Sequence, residues 1–304
     1  MKICFIAPGE IEIPPDGWGA LETVVWNQSE ELRKLGHETF IINEKSSIRT
    51  YAKLCRIQPD IVHLHYGKHY ELMPQIKCHK IVTNHDGSFK FSGAFHDEVT
   101  KLCFKGCEIF CLSEYEKQFF SSRDVGKVTI MPNGVDWKKF KKNTTASKPD
   151  RSICVGKIDI RKRQAKLQEM NLNIDFVGAN DDSNFDITNP CYLGSWSRKE
   201  IYNNLTDYAN FILLSSSENC SPLVCLEAMS AGLGLVISEA CTESLDLSKE
   251  FIDVIPEDKI EDKEYVEKVI KKNRIISMEN RNEIIAYGKT RDWSQMAIAY
   301  NSYL

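Results

Sequence analysis

Short apolar runs alternate with helical segments along this chain, and that alternation restricts its fold more than any other feature. Residues 2–7, 38–43, 60–65, 80–84, 108–113 and 127–132 each read as a strand. Helical periodicity fills the gaps, as over residues 20–35, which close on Gly36, and over 48–57. A strand that is apolar on both faces must be covered on both, and a helical crossover makes its neighbours parallel. An α/β chain with doubly wound sheets is expected.

The pattern is interrupted once. Between 138 and 151, Lys138, Lys139, Lys141, Lys142 and Lys148 are mixed with Asn, Thr, Ser and Pro149, which reads as a solvated linker. Alternation then resumes with strands at 152–156, 173–178, 210–214 and 234–238 and a helix from Ser197. A polar helix over 262–276 and a terminal helix from Trp293 complete the chain. Two Rossmann-like domains follow from this, residues 1–145 and 146–286, with residues 287–304 as a C-terminal helix that either stays with the second or crosses back to the first.

Composition excludes several classes. With 304 residues, 42% hydrophobic, 27% charged and a net charge of −4, the chain can bury two cores and does not resemble a nucleic-acid binder. No window reaches the ~18 uninterrupted apolar residues of a membrane span. The first 150 residues carry a small cationic excess, so a membrane contact is expected to be peripheral at most. Eleven scattered Cys without paired spacing argue against a disulfide framework and for a reducing, cytoplasmic setting. Cys103, Cys107 and Cys111 are spaced by four, but Gly106 breaks a shared face, and no metal site is expected.

Chemistry concentrates where strands end. After the strand at 210–214 come Ser215-Ser-Ser-Glu218-Asn219-Cys220-Ser221-Pro222-Leu223-Val224 and a helix carrying Glu227. Two carboxylates at a sheet's carboxyl edge suit the hydroxyls of a sugar or a ribose, which donate charge-assisted hydrogen bonds. Lys157, Arg161, Lys162 and Arg163 follow another strand, where cations could meet a diphosphate. Gly17 and Gly19 precede the first long helix, an arrangement that admits a phosphate or serves as a plain turn. His85 sits at a strand end. His63 and His65 alternate within a strand and are expected to pack. Met131-Pro-Asn-Gly-Val-Asp136 is explained by an Asn-Gly turn.

Together these segments resemble the retaining, two-domain GT-B glycosyltransferases of the large family that includes bacterial mannosyl- and glucosyltransferases and sucrose-phosphate synthase. The resemblance rests on Pro-Pro-x-Gly-Trp-Gly-x-Leu-Glu22, Asp60-Ile-Val-His-x-His65, the His85-Asp-Gly loop, Pro132-Asn-Gly-Val-Asp136, Val155-Gly-Lys-Ile with Lys162, and the segment from Glu218 to Gly232. It implies two Rossmann-like domains facing each other across a cleft. It also implies transfer of a hexose from a UDP- or GDP-linked sugar to a glycan, glycolipid or other hydroxyl acceptor, without a metal or cofactor. Glu227 would bind the donor's ribose, and Glu218 the transferred sugar. Lys157 and Lys162 would hold the diphosphate. His85 would lie near the reacting centre, while Gly17 and Gly19 would approach the diphosphate. Asn219, Cys220, Ser221, Pro222, Leu223 and Val224 would line the donor site.

The chain departs from the family pattern in three places. Eight residues separate Glu218 from Glu227, where the family has seven, so Asn219 takes the strict first position. Either Ser221 is an inserted loop residue and Glu218 keeps its role, or Asn219 substitutes with a neutral amide; a loop before Pro222 can absorb one residue. Lys157 stands where Arg is usual and lacks the bidentate fork. Ala20 replaces a common second Gly. A silent nucleotide-sugar-binding subunit and a nucleotide-sugar 2-epimerase are the alternatives.

Overall fold

The computed structural model describes residues 1–17, 19–66, 68–85, 93–217 and 222–304. The chain forms two compact units. The first comprises Met1–Asn133 together with Trp293–Leu304, the second Gly134–Asp292.

The first unit is built on a six-stranded sheet. Its strands are β1 (Lys2–Ala7), β2 (Glu38–Asn43), β3 (Ile61–Tyr66), β4 (His79–Asn84), β5 (Glu108–Cys111) and β6 (Val128–Ile130), in the order β2-β1-β3-β4-β5-β6. Every pairing is parallel. Alternate side chains of β1 serve different cores. Cys4 and Ile6 join Val62, Leu64 and Val82 on one face, while Ile3, Phe5 and Ala7 join Ile81 and Phe110 on the other. That two-sided burial is why β1 carries a continuous apolar run.

Helices α1 (Ala20–Lys34), α2 (Ser47–Ile57), α3 (Gly93–Cys103) and α4 (Glu114–Ser121) follow β1, β2, β4 and β5. Local chemistry sets their ends. The Ser46 and Ser113 hydroxyls accept from the amides of Arg49 and Glu116, which caps α2 and α4. Gln58 ends α2 in the left-handed conformation.

The second unit has five parallel strands, β7 (Lys148–Val155), β8 (Ile174–Val177), β9 (Tyr208–Leu213), β10 (Gly234–Ser238) and β11 (Ile252–Ile255). Their order, β11-β10-β9-β7-β8, reverses direction between β7 and β9. The first sheet reverses likewise between β1 and β3. Ligands of open α/β sheets bind outside the carboxyl ends of the strands at such switch points. Here too the faces divide: Phe211 and Leu213 of β9 enter one core, Ile212 and Leu214 the other. The helices are α5 (Gln164–Glu169), α6 (Arg198–Asn204), α7 (Leu223–Ser230), α8 (Lys263–Glu279) and α9 (Arg281–Lys289).

The last helix, α10 (Trp293–Tyr303), belongs to the first unit. Its Ala297 and Tyr300 are buried against Ile3, Phe5 and Phe110, and the Tyr300 ring meets Phe110 edge-on at 5.1 Å.

The cationic segment after 138 is not a solvated linker. Phe140 is buried in the second core, with Trp137 packed against it. The Lys142 ammonium sits 4.3 Å from the Trp137 ring and donates to the carbonyls of Trp137 and Phe140, each at 2.7 Å. Two aromatics anchor the segment and the lysine stems cover them, so its charge conceals its packing. Lys148 and Arg151 lie within β7 and pair with the buried Asp175.

Candidate functional site

In the second unit the carboxyl ends of β7 and β9 carry the cationic loop and the loop leading to Glu227. Gly156 leaves β7 at a φ of +146°, a conformation closed to most side chains. A Cβ there would lie 3.2 Å from Lys162 Nζ, so the lysine ammonium rests against the bare backbone that follows the strand. Asp159 caps the short 3-10 turn Ile160–Lys162 by accepting from the Lys162 amide at 2.9 Å. Lys162 is thereby folded back toward the strand end.

Lys157 points elsewhere. Its ammonium is 2.6 Å from Asp181 Oδ2, in an exposed pair. The hydrogen bond and charge of Asp181 raise the Lys157 pKa above the ordinary lysine value. A diphosphate would have to draw this cation from Asp181.

Arg161 joins the two loops. Its guanidinium donates to the Ser217 carbonyl, and its own carbonyl accepts from the Ser216 amide at 2.8 Å and the Ser216 hydroxyl at 3.0 Å. Ser238 of β10 donates to the Ser215 carbonyl. The exit from β9 is therefore held on both sides up to Ser217. Glu218, Asn219, Cys220 and Ser221 lie outside the described residues.

Pro222 is the N-cap of α7 and has no side chain able to cap it, and among the described residues no other cap is seen. The first amides of α7, including those of Leu223 and Val224, lie at the positive end of the helix dipole. One turn inside, Glu227 is 7% exposed. Its Oε1 lies 2.6 Å from an Arg198 guanidinium nitrogen. Burial disfavours the Arg198 charge, but Glu227 and Tyr202 outweigh it and hold the arginine pKa above its usual value.

In the first unit, Gly17 has nothing within 4 Å of where a Cβ would stand. Gly19, at φ +141°, would set a Cβ 2.9 Å from Pro15 and 3.2 Å from Glu22 Oε2. Glu22, in the first turn of α1, is 5% exposed, and burial raises its pKa.

His85 follows β4, and its Nε2 is 2.8 Å from Nδ1 of His65. The two rings stack at 5.1 Å, and His65 in turn stacks on His63 at 4.3 Å. His63 bonds Thr83 at 2.8 Å and the Tyr300 hydroxyl at 3.1 Å. Burial lowers all three pKa values, to about 4 for His85, to about 3 for His63 and well below the ordinary value for His65, and neighbouring imidazoles add to it at His63 and His65. All three rings are neutral near pH 7. His63 packs in the core as its alternation implies, whereas His65 also holds His85.

Sequence reasoning passed over Arg198 and Tyr300 as partners of the site, and named Arg161 only as a candidate cation for a diphosphate. A cation at the first position of a helix opposes the helix dipole, and Arg198 directly after the Ser197 cap was the available signal. Nothing local marks Tyr300. Among the described residues no group of three His, Cys, Asp or Glu side chains is placed to hold a metal ion, and no helix is long and apolar enough to cross a membrane.

No family model matches the chain, and no curated protein matches it in sequence. Its structure is similar to sucrose-phosphate synthase from Thermosynechococcus elongatus, with a TM-score of 0.77 at 14% identity over 99% of this chain and 98% of that one. It is similar to HepE of Anabaena in complex with UDP-glucose, with a TM-score of 0.71 at 13% identity over the whole of both chains. WaaG, a glycosyltransferase of lipopolysaccharide biosynthesis, gives 0.68 at 12% identity over 98% of each. The chain has the fold of the GT-B glycosyltransferases.

Proposed function

We propose that this GT-B chain is a glycosyltransferase that moves a hexose from a UDP- or GDP-linked sugar to a hydroxyl of a glycan or glycolipid, with retention and without a metal. One observation carries the reading. At the switch point of the second sheet, Lys162 is folded onto the end of β7, and the chain after β9 leads to the N-terminus of α7 and the buried carboxylate of Glu227. Cation, helix N-terminal amides and carboxylate match a diphosphate joined to a ribose.

In this reading the α7 amides and Lys162 hold the diphosphate, and Lys157 leaves Asp181 to join them. Their charge stabilises the departing diphosphate in the transition state. The acceptor oxygen bonds to the sugar's anomeric carbon as the carbon–phosphate oxygen bond breaks. The acceptor's proton passes to an oxygen of the leaving diphosphate, which requires no protein base and places attack on the departing face. Glu218 is read as the contact of the transferred sugar, and His85 as a residue near the reacting centre.

The test is a thermal-shift panel of UDP, GDP and their hexose derivatives, followed by the anomeric configuration of any product. Ligand at a hundred times its Kd stabilises the native state by about 2.7 kcal/mol. Inverted product would reject the retaining mechanism. Binding without turnover across many acceptors would leave a nucleotide-sugar-binding module, the outcome favoured if the longer Glu218-to-Glu227 spacing disables transfer.

A further inference from the structure

Glu227 does not stand alone. Arg198 is the first residue of α6, where its charge faces the positive end of that helix. The capping box between Ser197 and Glu200 fixes this end of the helix. Arg198 is three-quarters buried at its side chain and Glu227 more so, at 24% and 9% exposure. A placement unfavourable to both the helix and the cation's hydration persists only where a partner compensates for it, and Glu227 is that partner.

The guanidinium has a second partner. The same nitrogen that meets Glu227, Nη2, lies 3.2 Å from the Tyr202 hydroxyl one turn along α6, and the guanidinium carbon is 4.9 Å from that ring. Tyr202 donates onward to Asp136 at 3.4 Å, the last residue of the Asn-Gly turn that sequence reasoning explained as a turn alone. Arg198 is therefore clamped between a carboxylate and a phenol. Its only contact with Glu227 is to Oε1, and among the described residues Oε2 has no hydrogen-bond partner. One N–H leaves Oε1 a second lone pair and Oε2 both of its own. That is acceptor capacity for two adjacent hydroxyls.

We infer that Arg198 is the positioning residue for Glu227, holding Oε1 so that the carboxylate edge is presented to the vicinal 2′- and 3′-hydroxyls of a ribose, with Tyr202 and Asp136 holding Arg198 in turn. This rests on the reading of Glu227 as the ribose-binding group. It adds that selection for ribose over deoxyribose depends on a residue that touches no ligand. The guanidinium does so by fixing the carboxylate's plane, and by sparing the buried anion from being left without a counter-charge.

The test compares UDP and GDP with their 2′,3′-dideoxy analogues, by calorimetry on the full chain and on Arg198→Met, Arg198→Lys and Tyr202→Phe. Arg198→Met is expected to weaken the ribonucleotide about tenfold or more, the worth of a charge-assisted hydrogen bond. The dideoxy analogue should bind the unaltered chain and Arg198→Met alike. Arg198→Lys should recover part of the ribonucleotide affinity, and Tyr202→Phe, which keeps the ring, should lose a smaller part of it. Equal weakening of both ligands, or of neither, in Arg198→Met and Tyr202→Phe overturns the positioning role while leaving the ribose site standing. Failure of the unaltered chain to bind UDP and GDP overturns the reading of Glu227, and this role with it.

Discussion

The Nδ1 of His65 lies 2.8 Å from the Nε2 of His85, while the Nε2 of His65 is buried with no hydrogen-bond partner among the described residues. Burial keeps both rings neutral, so each carries one N–H. If His85 donated, the His65 proton would sit on the orphaned nitrogen, and a buried N–H without an acceptor is rarer than an unfilled lone pair. His65 therefore donates from Nδ1, and His85 carries its proton on Nδ1. Nitrogen-resolved NMR of the imidazoles should show that tautomer at His85. In His65→Leu the tautomer should shift toward Nε2–H. An Nε2-protonated His85 in the unaltered chain would refute the assignment.

The histidine stack should also set an acid limit on stability. Each of the three has a folded pKa below its unfolded value near 6.5, so its neutral form is favoured by folding. Their contribution is complete above about pH 6.5 and is lost as pH falls toward about 4, where His85 protonates in the folded state. Urea unfolding should lose about 1.4 kcal/mol per pH unit for each histidine in that window. His65→Leu should flatten the dependence, and an unchanged slope would place the lost stability elsewhere.

Glu22 presents the opposite case. Burial raises its pKa, although a negative charge in the first turn of α1 gains about 0.3–1 kcal/mol from the helix dipole. Desolvation wins. A carboxyl with a raised folded pKa stabilises below its unfolded value and costs stability once pH rises above it. Glu22→Gln should therefore raise the Tm by about 2 °C at pH 7.5 and by less toward pH 4. A lower Tm at pH 7.5 would mean that Glu22 makes a favourable ionic contact.

Arg281 is 2% exposed and donates to the carbonyls of Asn143, Thr206 and Tyr208. Burial lowers its pKa, against the favourable charge of Asp207. Arg281→Met fills much of the same space but leaves two buried carbonyls and the part-buried one of Asn143 without their donor. A loss of about 3–5 kcal/mol in urea unfolding is expected. A loss under about 1 kcal/mol would mean that other groups satisfy those carbonyls.

What the sequence made legible follows from range. β1, β9 and β10 are buried on both faces, and each was visible as an apolar run. β11 was not, because it lies at the sheet edge and alternates Ile252 and Ile255 with the half-buried Asp253 and Val254. α9 follows α8 with only Asn280 between them, so no loop signal separates the two. Lys157 and Lys162 stood out in the sequence as cations of the loop that follows the strand ending at Val155. The Arg198–Glu227 pair and the Tyr300–His63 bond join residues that no local pattern relates. The cationic segment was misread because lysines outnumber the two aromatics, Trp137 and Phe140, that anchor it.

Tyr300 closes the first unit, and that has a consequence for how the molecule is made. A chain leaves the ribosome from its N-terminus, and domains usually fold in that order. The second unit is one uninterrupted stretch, Gly134–Asp292, whereas the first includes Trp293–Leu304. The unit begun first is finished last. Until α10 arrives, the face formed by Ile3, Phe5 and Phe110 lacks its cover and His63 lacks its phenolic partner. Throughout synthesis of the second unit the nascent first unit is the part that chaperones would have to shield.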